Sequence, residues 1–304
     1  MKSKRATAIG SGFAALVIAA STSVGVAGAD PNIQIPGVDD GLPNCAVLNL
    51  HAFAGYIGTG DAQPPRAMDE DFAAPRSGDW CNTNVGYSTT QYGPGGVTQI
   101  NPPTVDGLFP YNNAEILPKP GFVPGMTMTY DIKGAPDMVG HNGTAGWGIS
   151  NRTIDPVSLE VAWFMYNGSH GLVGAASELT RPIFNVLGTE LPRGFFLMVK
   201  RAGQLYPQVK LLDPALLAGD HAYAVKLGDE YVDFFVDGQN VGAFRNPPAG
   251  KGIDIGQQPL PLMGQMWLDG SYWFPLPIPE YNDHEQRLTM TRYRQGPSES
   301  TPLT

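Results

Sequence analysis

Residues 221–244, HAYAVKLGDEYVDFFVDGQNVGAF, leave few choices of fold. Tyr223, Val225 and Leu227 alternate with Ala224 and Lys226, and Val232, Phe234 and Val236 alternate with Asp233 and Phe235. A two-residue period puts the apolar side chains on one face of a strand and the others on the opposite face. Gly228 and Asp229 turn the chain between the two runs. Asp237 and Gly238 turn it again, in the type I′ geometry whose central residues both need positive φ. The stretch is therefore a three-stranded antiparallel meander. Composition extends the conclusion to the rest of the chain. With 38 Gly and 28 Pro, about a fifth of 304 residues, a helical bundle is excluded, while 42% hydrophobic residues exclude a disordered chain. No internal repeat or long helical period is present, so the sequence predicts one all-β sandwich of two antiparallel sheets.

Further strands follow the same logic. Met126, Met128, Tyr130 and Ile132 alternate with Thr127, Thr129 and Asp131, Leu159 to Tyr166 forms another candidate, and Gly194 to Lys200 reads as a fully buried strand. One short helix is expected, with Asp213 as N-cap, Pro214 in the first position and Gly219 ending it. Residues 30–120 are dense in turn residues and form a turn-rich N-terminal part of the sandwich. Residues 121–296 form its core, and 297–304 a polar tail.

The first 29 residues carry an export signal. Lys2, Lys4 and Arg5 precede an apolar run from Phe13 to Ala20, and Ala27, Gly28 and Ala29 fit the small-residue cleavage pattern. The run is well short of the ~20 residues that span a bilayer. Removing this leader, which holds three bases and no acid, leaves 275 residues and moves the formal charge from −9 to −12. That charge argues against nucleic acid or an anionic membrane as partner. The expected location is extracellular or in the cell envelope. Cys45 and Cys81 are the two cysteines, and in an oxidising compartment they are expected to pair.

Beyond the meander, the chain resembles a known family. The H-x-Y-A-V strand, tight turn, aromatic strand and V-D-G-Q look like the corresponding part of the concanavalin A-like jelly roll, in particular the laminarinase-like β-glucanases of glycoside hydrolase family sixteen. MTMTYDIKG at 126–134, GTAGWGISNR at 143–152 and SLEVAWFMYNG at 158–168 resemble its early sheet strands and its catalytic strand. PLPLMGQMWLDGSYW at 259–273 and LTMTRYRQG at 288–296 resemble the strands that follow. The family's catalytic strand carries E-x-D-x-E or E-x-D-x-x-E, so that one carboxylate attacks the sugar and another protonates the leaving oxygen. Here Glu160 falls on the nucleophile position, but Ala162 and Phe164 or Met165 take the remaining ones. Only a residue from elsewhere, such as Asp155 or Glu178, would restore the pair.

The resemblance instead directs attention to aromatic surface. Trp147, Trp163, Trp267, Tyr272 and Trp273 lie in cleft-like segments, and flat aromatic faces suit amphipathic sugar rings. Trp163 is expected in the core, because it alternates to the face opposite Glu160. Trp147, flanked by glycines, and Trp273, followed by prolines, are expected to be loop-borne binding residues. The candidate carbohydrate site is thus Trp147, Glu160, Trp267, Tyr272 and Trp273. No HExxH, GxSxG or phosphate-binding glycine loop is present. Asp69, Glu70 and Asp71 form a solvated turn or a calcium site. No other cofactor is indicated. Three readings stay open: a non-catalytic protein binding a polysaccharide or cell-envelope glycan, a retaining β-glucan hydrolase or transglycosylase, and a surface module that binds proteins.

Overall fold

The computed structural model describes residues 45, 62–74, 78–85, 87–103, 112–135, 138–152, 158–168, 192–204, 207–245, 255–256, 261–272, 278–279 and 282–304, all within the unit Asp39–Thr304. Residues 1–29, expected to be an export signal, and Asp155, Glu178 and Trp273 lie outside the described residues. In chain order the strands are β1 (Met68–Glu70), β2 (Trp80–Val85), β3 (Thr89–Gly93), β4 (Gly96–Asn101), β5 (Asn113–Pro118) and β6 (Gly121–Phe122). Then come β7 (Met126–Ile132), β8 (Thr144–Ser150), β9 (Val161–Asn167), β10 (Gly194–Lys200), β11 (Gln208–Leu211) and β12 (His221–Leu227). The last are β13 (Tyr231–Val236), β14 (Gln239–Arg245), β15 (Leu262–Asp269), β16 (Ser271–Tyr272), β17 (Ile278–Pro279) and β18 (Gln286–Pro297).

Among the described residues these build two eight-stranded antiparallel sheets and a small β16–β17 ribbon. Sheet I runs β11, β10, β9, β8, β15, β5, β2, with β6 beside β15. Sheet II runs β14, β13, β12, β7, β18, β4, β3, with β1 beside β18. The architecture is the expected jelly-roll sandwich. Its core is the set of inward positions that alternation selects: Met128 and Tyr130 on β7, Tyr223 and Val225 on β12, Phe234 on β13, Ala162 and Phe164 on β9, Phe195 and Leu197 on β10. The meander forms as read, and Asp237 and Gly238 adopt φ of 49° and 75°. The short helix is a 3-10 turn, Pro214–Leu217, in which the Asp213 side chain accepts from the Ala215 N–H at 2.9 Å.

The turn-rich N-terminal part supplies strands to both sheets. β4 sits between β18 and β3, and β5 between β15 and β2, and two inward polar side chains on β4 tie the sheets together. Gln99 Nε2 donates to the Met266 carbonyl at 2.9 Å and Asn101 Nδ2 to the Leu268 carbonyl at 3.2 Å, so these buried amides find partners in the opposite sheet. Cys45 and Cys81 form the expected disulfide, with Cα atoms 4.8 Å apart. Both are buried beside Leu117 and Met263.

On the outer face of sheet II, Arg292 makes a two-pronged contact with Asp69, at 2.7 and 2.6 Å, which holds that carboxyl below its usual range. Glu70 and Asp71 accept the backbone N–H groups of Phe72 and Ala73, each at 3.0 Å. The acidic turn that suggested calcium is therefore engaged in capping and pairing. After Pro297 the tail folds back over the same face. Thr127 Oγ1 bonds Ser298 Oγ at 3.0 Å, Thr129 Oγ1 donates to the Pro302 carbonyl at 2.7 Å, and Arg294 Nη1 donates to the Thr304 carbonyl at 2.7 Å. Among the described residues, no helix is long and apolar enough to cross a membrane.

His141, just before β8, is fully buried, and its Nε2–H donates to the Asp269 carbonyl at 3.0 Å. Burial pushes its pKa down to about 4. The unfolded chain takes up this proton near pH 6.5 and the folded chain does not, so stability falls as the pH drops from about 6.5 toward 4. The loss contributed by His141 should reach about 3 kcal/mol. Melting curves at pH 7 and 4.5 should show it, and His141→Gln should narrow the gap between them; an unaltered gap would refute the assignment.

Candidate functional site

The face that carries the site is the outer side of sheet I, and β8 explains its shape. In TAGWGIS, Ala145, Trp147 and Ile149 point into the core, so Gly146 and Gly148 face outward. Glycine in the middle of a strand signals close approach of another group, and here two indoles make that approach. A Cβ on Gly146 would lie 2.8 Å from Cζ2 of Trp267, and one on Gly148 would lie 3.0 Å from Cδ1 of Trp163. Trp267 comes from β15 and Trp163 from β9, the two strands flanking β8. Their ring centroids are 4.7 Å apart with planes at 56°. Trp267 is 6% exposed and its Nε1 donates to Thr144 Oγ1 at 3.2 Å, while Trp163 is half-buried. Val161, Met165, Phe196 and Met198 extend the apolar ground around the pair.

A polar cluster adjoins it. Glu115 on β5 is the register partner of Trp267. Its Oε2 receives Arg152 Nη2 at 2.6 Å, with the two side chains only 6% and 8% exposed. Gln265 Nε2 donates to the other carboxylate oxygen. Arg152 itself holds a φ of 53°, and its N–H donates to Ser150 Oγ at 2.9 Å. The ion pair is internally neutral, and burial makes it sensitive to loss of either partner. Arg152 Nη1, Gln265 Oε1 and Trp163 Nε1 are buried without a hydrogen-bond partner among the described residues. Two donors and one acceptor thus lie buried beside the indole pair.

Several expected site residues stand elsewhere. Trp147 is 0% exposed and lies between the sheets against Tyr223, Phe195 and Phe164, at centroid distances of 4.8, 5.9 and 6.2 Å. It is a core residue on a strand, and its glycine neighbours serve other tryptophans. Trp163, expected in the core, belongs to the outer face. Glu160 immediately precedes β9 and is completely buried. Its N–H donates to Asn151 Oδ1 at 3.1 Å and its Oε2 accepts from the Gly256 N–H at 3.2 Å. A carboxylate so enclosed is a structural anchor, not a surface sugar ligand. Tyr272 contributes backbone pairing with Ile278, and its side chain lies outside the described set.

The outward positions on β9 are Val161, Trp163, Met165 and Asn167, and the strand contains no carboxylate. Glu115 and Asp269, which alternation puts on the outer face, sit on β5 and β15. The first is bound by Arg152 and Gln265; the second is fully buried. No group of three or more His, Cys, Asp or Glu that could hold a metal occurs among the described residues.

No family model and no curated protein matches this sequence. Solved structures do match. An endo-acting O-glycanase of the human gut microbiota, described as initiating mucin breakdown, superposes with a TM-score of 0.52 at 16% identity, over 76% of this chain and 98% of that one. A pseudo β-1,3-glucanase and immunostimulatory antigen of Mycobacterium tuberculosis gives 0.50 at 11% identity, over 76% and 98%. A β-1,3-1,4-glucanase from a mouse hindgut metagenome gives 0.49 at 14%, over 76% and 99%. At such identities the likeness is one of fold. The chain thus shares the jelly-roll sandwich fold of the O-glycanase and the pseudo-glucanase.

Proposed function

We propose that this is an exported glycan-binding protein that holds a polysaccharide on the outer face of sheet I without cleaving it. The observation that carries the reading is the outward row of β9, which holds no carboxylate and in which the half-buried Trp163 lies between the buried Val161 and Met165. Retaining hydrolysis needs two carboxyl groups about 5 to 5.5 Å apart at the scissile bond. The Trp163–Trp267 pair with the Arg152–Glu115–Gln265 cluster supports binding in its place. The disulfide supports export, since such bonds persist in oxidising compartments.

Calorimetric titration with soluble β-1,3-glucan, β-1,3-1,4-glucan and mucin-type glycans should reveal a ligand. Trp163→Ala should then weaken binding about thirtyfold or more, as loss of a central aromatic anchor does, while the melting temperature changes little. Full affinity in a folded Trp163→Ala protein would reject the site. Reducing-sugar release from the same glycans should stay at background. Release abolished by Glu115→Gln or Asp269→Asn would establish hydrolysis by a displaced pair of acids instead.

A further inference from the structure

We propose that Tyr130, a residue of the opposite sheet, is a positioning residue for this glycan face, acting through the backbone of Gly148 and Gln265. The inference rests on the reading of the Trp163 face given above. Tyr130 lies on β7 in sheet II and is 1% exposed. Its hydroxyl crosses the core, donates to the Gly148 carbonyl at 2.6 Å and accepts from the Gln265 N–H at 3.1 Å. Gly148 and Gln265 are register partners on β8 and β15. At this one step, an N–H and a C=O that face each other across sheet I are joined through a phenolic oxygen from the other sheet. A phenol has one proton to give and lone pairs to receive, so a single hydroxyl satisfies both groups.

The consequences reach the outer surface. Gly148 has a φ of 150°, inside the region that L side chains rarely adopt, and its carbonyl is engaged inward on the phenol. Its bare outer side is where Trp163, its register partner on β9, lays its ring. Gln265 carries one of the unpartnered atoms of the site and bonds Glu115. A Cβ on the neighbouring Gly264 would sit 2.6 Å from Pro118 Cγ, 2.8 Å from the Tyr293 hydroxyl and 3.0 Å from the Tyr130 hydroxyl, so both phenols lie against β15 there, but Tyr130 is the one that bonds the β8–β15 ladder. One hydroxyl therefore sets both the bare strand beneath the indole and the amide beside it. Without it, the Gln265 N–H and Gly148 C=O either close on each other or stay buried and unpaired, and in both cases Trp163 loses its present support.

The test compares Tyr130→Phe with Tyr293→Phe. Tyr293 is an equally buried tyrosine of sheet II whose hydroxyl also lies against Gly264 of β15, but it donates to Gln295 and makes no hydrogen bond to the β8–β15 ladder among the described residues. The Trp163–Trp267 pair should give an exciton couplet in circular dichroism, assigned by its disappearance in Trp163→Phe and Trp267→Phe. Tyr130→Phe should fold, lose at least about half of that couplet, and bind the soluble glucan about tenfold more weakly. Tyr293→Phe should keep both. An unchanged couplet in folded Tyr130→Phe, or an equal loss in Tyr293→Phe, would overturn the proposal. Should Tyr130→Phe fail to fold, the wild-type protein decides: a slowly exchanging Tyr130 hydroxyl proton should show a nuclear Overhauser contact to the Gln265 amide, and its absence would refute the bridge. The couplet needs no ligand. Its loss in Tyr130→Phe with no glycan bound by wild type would leave the bridge standing and defeat the binding function.

Discussion

Trp147→Ala should destabilise the fold by about 3 to 5 kcal/mol, the range for deleting a large aromatic from a packed interior. The indole sits at the centre of a ring of aromatics formed by Phe164, Phe195 and Tyr223, and nothing in the sandwich can collapse into the space it would leave. Against a total stability of order 5 to 15 kcal/mol, the variant should show a large drop in the urea midpoint with the slope unchanged. Trp147→Phe should fall between the two. The comparison with Trp163→Ala is the informative one, because the two tryptophans exchange roles relative to their sequence surroundings. Trp163→Ala should keep the fold and lose the ligand; Trp147→Ala should lose the fold. A Trp147→Ala protein that is as stable as wild type would mean the sandwich is packed differently from the structure described here.

Opening the disulfide should have the next largest effect. The Cys45–Cys81 bond spans a sequence separation of 36, a closure worth about 3 to 4 kcal/mol in restricted unfolded-chain entropy. It also fixes position 45 to β2, where the Cys45 N–H donates to the Asn82 carbonyl at 2.8 Å. Both sulfurs lie in an apolar cluster with Leu117 and Met263, so serine at either position would in addition bury a hydroxyl there. Urea unfolding with and without dithiothreitol, and of Cys45→Ser, should give midpoints well below that of the oxidised protein. Coincident curves would show that the bridge contributes nothing. Because Cys81 is on the β2 edge of sheet I, far along the strand order from β9, reduction should disturb stability more than the tryptophan pair.

What was legible in the sequence, and what was not, follows from how local each signal is. β7 and the meander β12–β14 could be read because each has one core face and one polar face, and the Asp237–Gly238 turn because its backbone demands are met by two adjacent residues. β1, β4 and β5 could not, being short and paired with strands far away in the chain: β1 and β4 join β18 and β5 joins β15, and the local β3–β4 hairpin at Gly93–Gly96 was hidden among turn residues. β8 misled for a related reason. Gly146 and Gly148 resemble loop residues until the indoles that need them are known, and those come from positions 163 and 267. Glu160 misled through the choice of face. β9 runs from Val161, two residues after the expected Leu159, and its even positions Ala162 and Phe164 face the core while the odd ones face out, the reverse of the sides expected for Glu160 and Trp163. Arg152, Glu115 and Gln265 carried no motif; only pairing β5, β8 and β15 side by side brings them together.

Thr304 lies over the back of sheet II, with its Cγ2 placed so that a Cβ on Gly238 would lie 2.9 Å away. Anything fused after Thr304 would consequently depart beside the Asp237–Gly238 hairpin, on the side of the sandwich turned away from the tryptophan pair. Immobilising the protein through such a fusion should leave the opposite surface open to solution, whereas a tether attached at the front would obstruct the Trp163–Trp267 face.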